Sequence, residues 1–78
     1  MKLKTLIERK GKHYLVSTVK LASWATFSPD HAYETMVFAA DNEGKVTDWM
    51  DLYCDRAASE VEAESNHDRA VTTFDPER

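Results

Sequence analysis

The sequence of 78 residues has few residues that interrupt helices and strands or cross-link the chain. It contains one cysteine, two prolines and two glycines. A single cysteine, Cys54, excludes an internal disulfide, and no cysteine–histidine pair has zinc-finger spacing. No apolar run approaches the roughly 20 residues of a membrane span, and the charged start is unlike a signal peptide. The composition therefore predicts a single domain, residues 1–78, in the reducing cytoplasm and without a membrane partner.

Both glycines occupy equivalent places in the sequence. Gly11 ends the polar run that begins at Glu8, Gly44 ends the one that begins at Asp41, and a lysine follows each. A type I turn closed by a residue with positive φ favours glycine at this fourth position, because glycine has no Cβ to clash. The pattern predicts two β-hairpins, and it leaves no glycine for a phosphate-binding or oxyanion loop.

Alternating and β-branched stretches beside these turns predict strands at about residues 3–8, 13–21, 33–40 and 45–49. Residues 48–53 are ambiguous, since Asp48 could equally cap a single helical turn. Ser28-Pro29-Asp30 indicates a turn between the hairpins.

The periodicity changes near the carboxyl end. Ser59 and Glu62 match a capping box, in which the Ser59 hydroxyl accepts from the Glu62 amide. Apolar positions then recur at helical spacing as far as Phe74, with His67 among them as a packed histidine, and Asp75-Pro76 ends the helix. We predict a helix over residues 60–73 and a frayed tail over 75–78. The fold class is α+β: a three- or four-stranded antiparallel sheet with the helix packed on one face.

Catalytic and metal-binding patterns are weak. A nucleophilic site of Cys54, His67 and Asp68 would need an oriented base and a concave pocket, which a single sheet with one helix hardly offers. The histidines are not at i, i+3 or i+4 from one another. The sequence therefore predicts no enzyme, no metal site and no cofactor.

Charge is divided along the chain, whose net charge is −4. Residues 1–20 hold six cations and one acid, whereas residues 41–64 hold eight acids and two cations. Basic hairpins attract phosphate, yet nucleic-acid binders are normally basic overall, so nucleic-acid binding is the weaker alternative to protein binding. An acidic half that imitates nucleic acid is a further alternative. The candidate contacts for a charged partner are Lys2, Lys4, Arg9, Lys10 and Lys12.

Aromatic residues are numerous for so short a chain, and they dominate protein-binding hot spots. An exposed aromatic patch or an unpaired edge strand would serve a partner protein or a homodimer. The candidate interface residues are Trp24, Phe27, Tyr33, Trp49 and Tyr53.

Three segments together resemble a group of small proteins of bacteriophages and prophages with no assigned activity. The segments are Tyr33-Glu34-Thr35-Met36-Val37-Phe38, then Gly44-x-Val46-x-Asp48-Trp49-x-x-Leu52-Tyr53-x-x-Arg56, then Ser59-x-x-x-Ala63-x-x-x-His67. The resemblance implies a mobile-element product in the cytoplasm of a bacterial host, and no reaction. We therefore expect a non-enzymatic interaction protein, or alternatively a phage regulator or anti-defence factor that binds or mimics nucleic acid.

Overall fold

Four antiparallel strands form one sheet, and a helix packs on one of its faces. The computed structural model describes residues 1–21 and 32–77. The strands lie in chain order, β1-β2-β3-β4. This confirms the α+β prediction with four strands. The elements are β1 (Lys2–Arg9), β2 (Lys12–Lys20), β3 (Tyr33–Ala40), β4 (Val46–Ala57) and α1 (Glu60–Thr73).

The first hairpin has a tighter turn than the one predicted. Arg9 pairs directly with Lys12, so only two residues form the loop. Lys10 has φ 54° and Gly11 has φ 80°. Two successive positive φ values are typical of a type I′ turn, whose twist matches that of the flanking strands. The prediction of a type I turn closed by Gly11 is therefore wrong in turn type, although the hairpin itself is correct.

The second hairpin has the predicted turn. The Gly44 amide donates to the Asp41 carbonyl at 3.1 Å, and Gly44 has φ 87°. The Asp41 carboxylate accepts from the amides of Glu43 and Lys45, both at 2.9 Å. These bonds favour the ionised form, so they lower the pKa of Asp41. The turn also approaches β1, since a Cβ placed at Gly44 would lie 3.9 Å from Leu6 Cδ2.

Strand β4 is much longer than predicted. The sequence predicted a strand over residues 45–49, whereas β4 runs from Val46 to Ala57. Residues 48–53 are thus part of a strand, not a helical turn. The extension depends on pairing with β3, in which Tyr33 lies opposite Ala57 and Val37 opposite Tyr53. Such non-local pairing leaves no local signal in the sequence.

The core lies between the sheet and α1. Val16 and Val37 are opposite each other on the two central strands and have no exposed surface. The Tyr14 and Phe74 rings meet at the edge of this core with centroids 5.1 Å apart. The core cluster consists of Ile7, Tyr14, Val16, Val37 and Ala70, with Tyr53, Val71 and Phe74 packed against it.

A polar network crosses the same interface. His67 of α1 is bonded through Nε2 to the Thr5 hydroxyl at 2.9 Å and through Nδ1 to the Thr18 hydroxyl at 2.8 Å. The Thr18 hydroxyl also bonds that of Thr35 at 2.7 Å. The prediction of a packed histidine is confirmed, and the network links the helix to three strands.

The helix begins as predicted. Ser59 is its N-cap, and the Ser59 hydroxyl accepts from the Glu62 amide at 3.2 Å. At the other end, Asp75 and Glu77 of the expected frayed tail make contacts with each other and with the first turn. The Glu77 amide donates to the Asp75 carboxylate at 2.9 Å, and the Glu77 carboxylate pairs with Lys10 of the first turn.

Candidate interaction surface

Strand β4 is an edge strand with an unusually large bulge. Val37 lies opposite Tyr53, and Ala39 lies opposite Asp48. Residues 49–52 of β4 therefore face a single residue of β3, Phe38. The Asp48 carboxylate accepts from the Met50 amide at 3.0 Å, a local bond that competes with the strand ladder. We call residues 49–52 the β4 bulge.

The β4 bulge exposes large apolar side chains. Trp49 and Met50 are each 73% exposed, and Leu52 is 51% exposed. Single exposed apolar residues are ordinary, but three large ones within four residues of an edge strand indicate a candidate interaction site. Trp49 makes an edge-to-face contact with Phe38, and the two ring centroids lie 5.3 Å apart.

Three shallow clefts surround Leu52. One, of about 280 Å³, lies between Leu52, Tyr53 and the last turn of α1 at Phe74. A second, of about 290 Å³, is bordered by Leu52, Tyr14 and the basic first turn. The third, of about 440 Å³, extends from Leu52 over Tyr14 towards Ala39. The clefts thus lie at Leu52 on the α1 side of the sheet, whereas Trp49 packs on Phe38 at the opposite face.

The predicted aromatic residues occupy different environments. Trp49 is exposed as an interface residue would be. Tyr53 is half-buried against the core, and its hydroxyl donates to the Asp55 carboxylate at 3.2 Å. Burial, helped by Asp55, raises the pKa of Tyr53. Tyr33 is half-buried at the start of β3. Trp24 and Phe27, like the predicted Pro29 turn, lie outside the described residues.

The predicted basic residues do not form one surface. Lys2 and Lys4 alternate with Thr5 of the His67 network, so they point to the sheet face away from α1. Lys10 is paired with Glu77, and Lys12 borders two of the clefts at Leu52.

Arg9 has a structural role that the sequence analysis missed. Its Nε donates to the Phe74 carbonyl at 3.1 Å, and another guanidinium nitrogen donates to the Val71 carbonyl. The last turn of α1 contains no basic residue of its own. Arg9 therefore supplies the cation that favours a helix C-terminus, and its guanidinium is engaged within the fold.

His67 and Cys54, two members of the nucleophilic site considered from the sequence, have different environments. Both ring nitrogens of His67 are bonded to threonine hydroxyls, and burial lowers its pKa. Cys54 is exposed on β4, and partial desolvation together with the charge of Glu34 raises the pKa of its thiol. Among residues 1–21 and 32–77 no group of three histidine, cysteine or carboxylate side chains could hold a metal ion.

Sequence reasoning proposed Trp49 as an interface residue but not Met50 or Leu52. Regular alternation would place these two on the face opposite Trp49, with no reason for all three to be exposed. The one local signal is the run Asp48-Trp49-Met50-Asp51-Leu52, in which carboxylates separate apolar side chains. Apolar residues interleaved with acids indicate a strand that is not buried on either face.

Comparison of the chain with protein-family models, with curated proteins and with solved structures finds no match in any of the three. The described residues include no helix that is long and apolar enough to cross a membrane.

Proposed function

We propose that this protein is a non-enzymatic interaction protein that binds another polypeptide chain through the β4 bulge. One observation carries the proposal: three large apolar side chains, those of Trp49, Met50 and Leu52, are exposed within four residues of an edge strand. Tryptophan is among the residues that contribute most to protein-binding energy, and methionine adapts to irregular partner surfaces. The clefts beside Leu52 add the concave surface that a partner side chain can fill.

The alternative, binding of nucleic acid by the basic hairpin, has less support. Of the five cations proposed for it, Arg9 is bonded to the helix C-terminus and Lys10 to Glu77. Lys2 and Lys4 point to the opposite face of the sheet from Thr5 and the helix. Binding to a nucleic-acid backbone depends on cations that neutralise several phosphates together, and the five predicted cations do not share one surface.

The resemblance to phage and prophage proteins suggests the setting for a test. We propose that the partner is a bacterial or phage protein of the cytoplasm, or the chain itself, so bacterial cells are the appropriate place to search for it.

Site-specific photo-crosslinking in living bacteria tests the proposal. A benzophenone amino acid is introduced at Met50, and irradiated cells are examined for covalent adducts by electrophoresis and mass spectrometry. The matched control carries the same group at Val61, which is 78% exposed on α1. We expect discrete polypeptide adducts from position 50 and none of these from position 61.

Two results would contradict the proposal. The first is the absence of polypeptide adducts from position 50 at full expression of a folded chain. The second is an adduct between position 50 and nucleic acid, which would favour the alternative function.

A further inference from the structure

We infer that the outer edge of β1 binds an extended acidic polypeptide segment, which adds to the sheet as a further antiparallel strand. This edge lies at the opposite side of the sheet from the β4 bulge, so it is a second binding surface and does not depend on the first. Two observations carry the inference: the direction of the backbone groups along β1, and the charge of the side chains Lys2 and Lys4.

Alternate residues of β1 direct their backbone groups away from β2. Arg9 and Lys12 flank the two-residue loop of the first hairpin, and in such a hairpin the flanking residues bond each other. At the other end of the strand the Lys20 amide donates to the Met1 carbonyl at 3.3 Å, which fixes the same alternation. The residues between these ends that direct amide and carbonyl groups outwards are Lys2, Lys4, Leu6 and Glu8.

The β1 edge is regular, whereas the opposite edge is not. The pairing of β1 with β2 has no register shift, but the β4 bulge interrupts the other edge strand. The Glu8 carbonyl is already engaged, since it accepts from the Arg9 guanidinium at 2.9 Å. An added strand would therefore pair along residues 2–6, where backbone hydrogen bonds supply affinity and side chains supply specificity.

The side chains of the outward-bonding residues lie on the sheet face away from α1, and two of them are lysines. Lys2 lies opposite Val19 and Lys4 opposite Ser17, so neither faces an acid across the β1–β2 pair. Neither lysine has an ion-pair partner in residues 1–21 and 32–77.

Carboxylates of the neighbouring strands on this face lie beside other cationic or titratable groups. Glu34 of β3 is 2.9 Å from the Arg56 guanidinium, and Glu8 of β1 is 3.6 Å from His13 Nε2. The charge of the two lysines is therefore directed to whatever pairs with the edge. Lysines on an edge strand oppose pairing with unselected strands, which makes the charge of the incoming segment decisive.

The order of residues along β1 defines the segment that fits. Opposite charges directly across two strands stabilise a sheet, and like charges destabilise it. Carboxylates are therefore expected opposite Lys2 and Lys4, and an apolar side chain opposite Leu6, which is 39% exposed. For an antiparallel strand this order reads apolar-x-acid-x-acid from its amino end. A nucleic-acid backbone offers acceptors alone, so it could not pair with the outward carbonyl groups.

Fluorescence anisotropy with labelled synthetic peptides gives the first test. The probe contains the sequence Val-Thr-Glu-Thr-Glu, and the matched control contains Val-Thr-Lys-Thr-Lys. We expect the wild-type chain to bind the acidic peptide about tenfold more tightly than the basic one, because only the acidic peptide places opposite charges across the new pair. Equal affinity for the two peptides, or binding of neither, would overturn the inference.

Methylation of single peptide amides tests the strand geometry. The peptide residue opposite Lys4 directs its amide towards β1, whereas the next residue directs its amide away. A methyl group on the amide of the first glutamate should therefore weaken binding about tenfold. The same group on the following threonine should leave the affinity unchanged. An equal loss from both methylated peptides would overturn binding by strand addition.

Charge reversal in the protein locates the site. Lys4→Glu should weaken binding of the acidic peptide about tenfold and reverse the preference in favour of the basic peptide. Lys12→Glu, which makes the same change of charge at an exposed lysine of β2, is the matched control and should not affect binding. Thermal unfolding shows whether each variant is folded. An equal loss in the two folded variants would overturn the assignment to β1.

Other occupants of the edge give different results. A chain that binds a single-stranded oligonucleotide but not the acidic peptide would assign the lysines to nucleic acid. A chain that dimerises in sedimentation equilibrium, and loses the dimer in Lys4→Glu, would assign the edge to a second copy. Either result would overturn the inference.

The variant Met50→Asp separates this edge from the β4 bulge. It changes the surface of the proposed function and should leave binding of the acidic peptide unchanged, whereas a loss of binding by the folded variant would overturn the assignment to β1. Adducts from position 50 without peptide binding would overturn this inference and leave the proposed function standing. Peptide binding without such adducts would do the reverse.

Discussion

At the scale of single residues, His67 is a titratable group buried between α1 and the sheet. Its side chain is 4% exposed, yet both ring nitrogens have hydroxyl partners. Threonine hydroxyls both donate and accept, so they satisfy the neutral ring in either tautomer. Burial nevertheless opposes its charging and lowers the pKa of His67, while the neighbouring Asp68 acts weakly in the opposite direction.

Stability should therefore fall on acidification. The pKa of His67 is lower in the folded chain than its ordinary value of 6.5, so below this pH the unfolded chain binds a proton that the folded chain does not. The contribution is present above about pH 6.5 and is lost as the pH falls towards the folded pKa, at a rate of up to about 1.4 kcal/mol per pH unit. Urea unfolding at pH 7.5 and 5.5 measures it.

The matched variants are His67→Gln and His13→Gln. We expect His67→Gln to be less stable at pH 7.5 but to lose less stability on acidification, whereas His13→Gln should retain the wild-type loss. A wild-type free energy of unfolding that is the same at both pH values would contradict this role for His67.

Arg9 and Lys10 are adjacent cations, and we expect them to contribute different amounts to the free energy of unfolding. Arg9→Met removes the side chain that satisfies two carbonyls at the end of α1 and should cost about 1–2 kcal/mol of stability. Lys10→Met removes an exposed ion pair with Glu77 and should cost less than about 0.5 kcal/mol. Chemical denaturation compares the two, and equal costs would contradict the capping role of Arg9.

At the scale of elements, the two turns differ because their loops differ in length. The second has five residues and needs positive φ at Gly44 alone, whereas the first has two residues and needs it at both. The residue under strain is therefore Lys10, since a lysine in the left-handed region costs roughly 1 kcal/mol.

Replacing this lysine should stabilise the protein. Lys10→Asn produces the asparagine–glycine pair that type I′ turns prefer. The free energy of unfolding should rise by about 0.5–1 kcal/mol, even though the pair with Glu77 is lost. Asn42→Lys in the second turn is the control. It makes the reverse exchange at a position where φ is not positive. A lower stability of Lys10→Asn would mean that the first turn is not strained at this residue.

Elements encoded by local signals could be predicted from the sequence, and those that depend on distant partners could not. The bounds of α1 follow from Ser59 at its start and Asp75-Pro76 after its end. Both signals lie within a few residues of the helix ends that they determine. The second half of β4 depends on pairing with β3, and the exposure of Met50 and Leu52 depends on the β4 bulge, to which both belong. Arg9 is indistinguishable from its lysine neighbours until the helix C-terminus, 65 positions away, is in place.

At the scale of the whole molecule, the protection of backbone amides from hydrogen exchange is expected to decrease from the centre of the sheet outwards. The pair Val16 and Val37 joins the two central strands and is fully buried, whereas β1 and β4 are each paired along one side only within residues 1–21 and 32–77. Hydrogen exchange should therefore be slowest at amides of β2 and β3 that are bonded to each other, and faster in the β4 bulge. Equal protection across all four strands would contradict this gradient and indicate that both edges are covered in solution.

The contacts of Arg9 and of the His67 network have a consequence for the order of folding. Each hairpin joins neighbours in the sequence, but the bonds of α1 to β1 join residues 62 to 65 positions apart. Closing so long a loop is costly until the partners already stand in place. We therefore expect the hairpins to assemble first and the helix to dock last. Until it does, a row of threonine hydroxyls and an unshielded apolar sheet face are open to water, and the newly made chain is most vulnerable to aggregation in that interval.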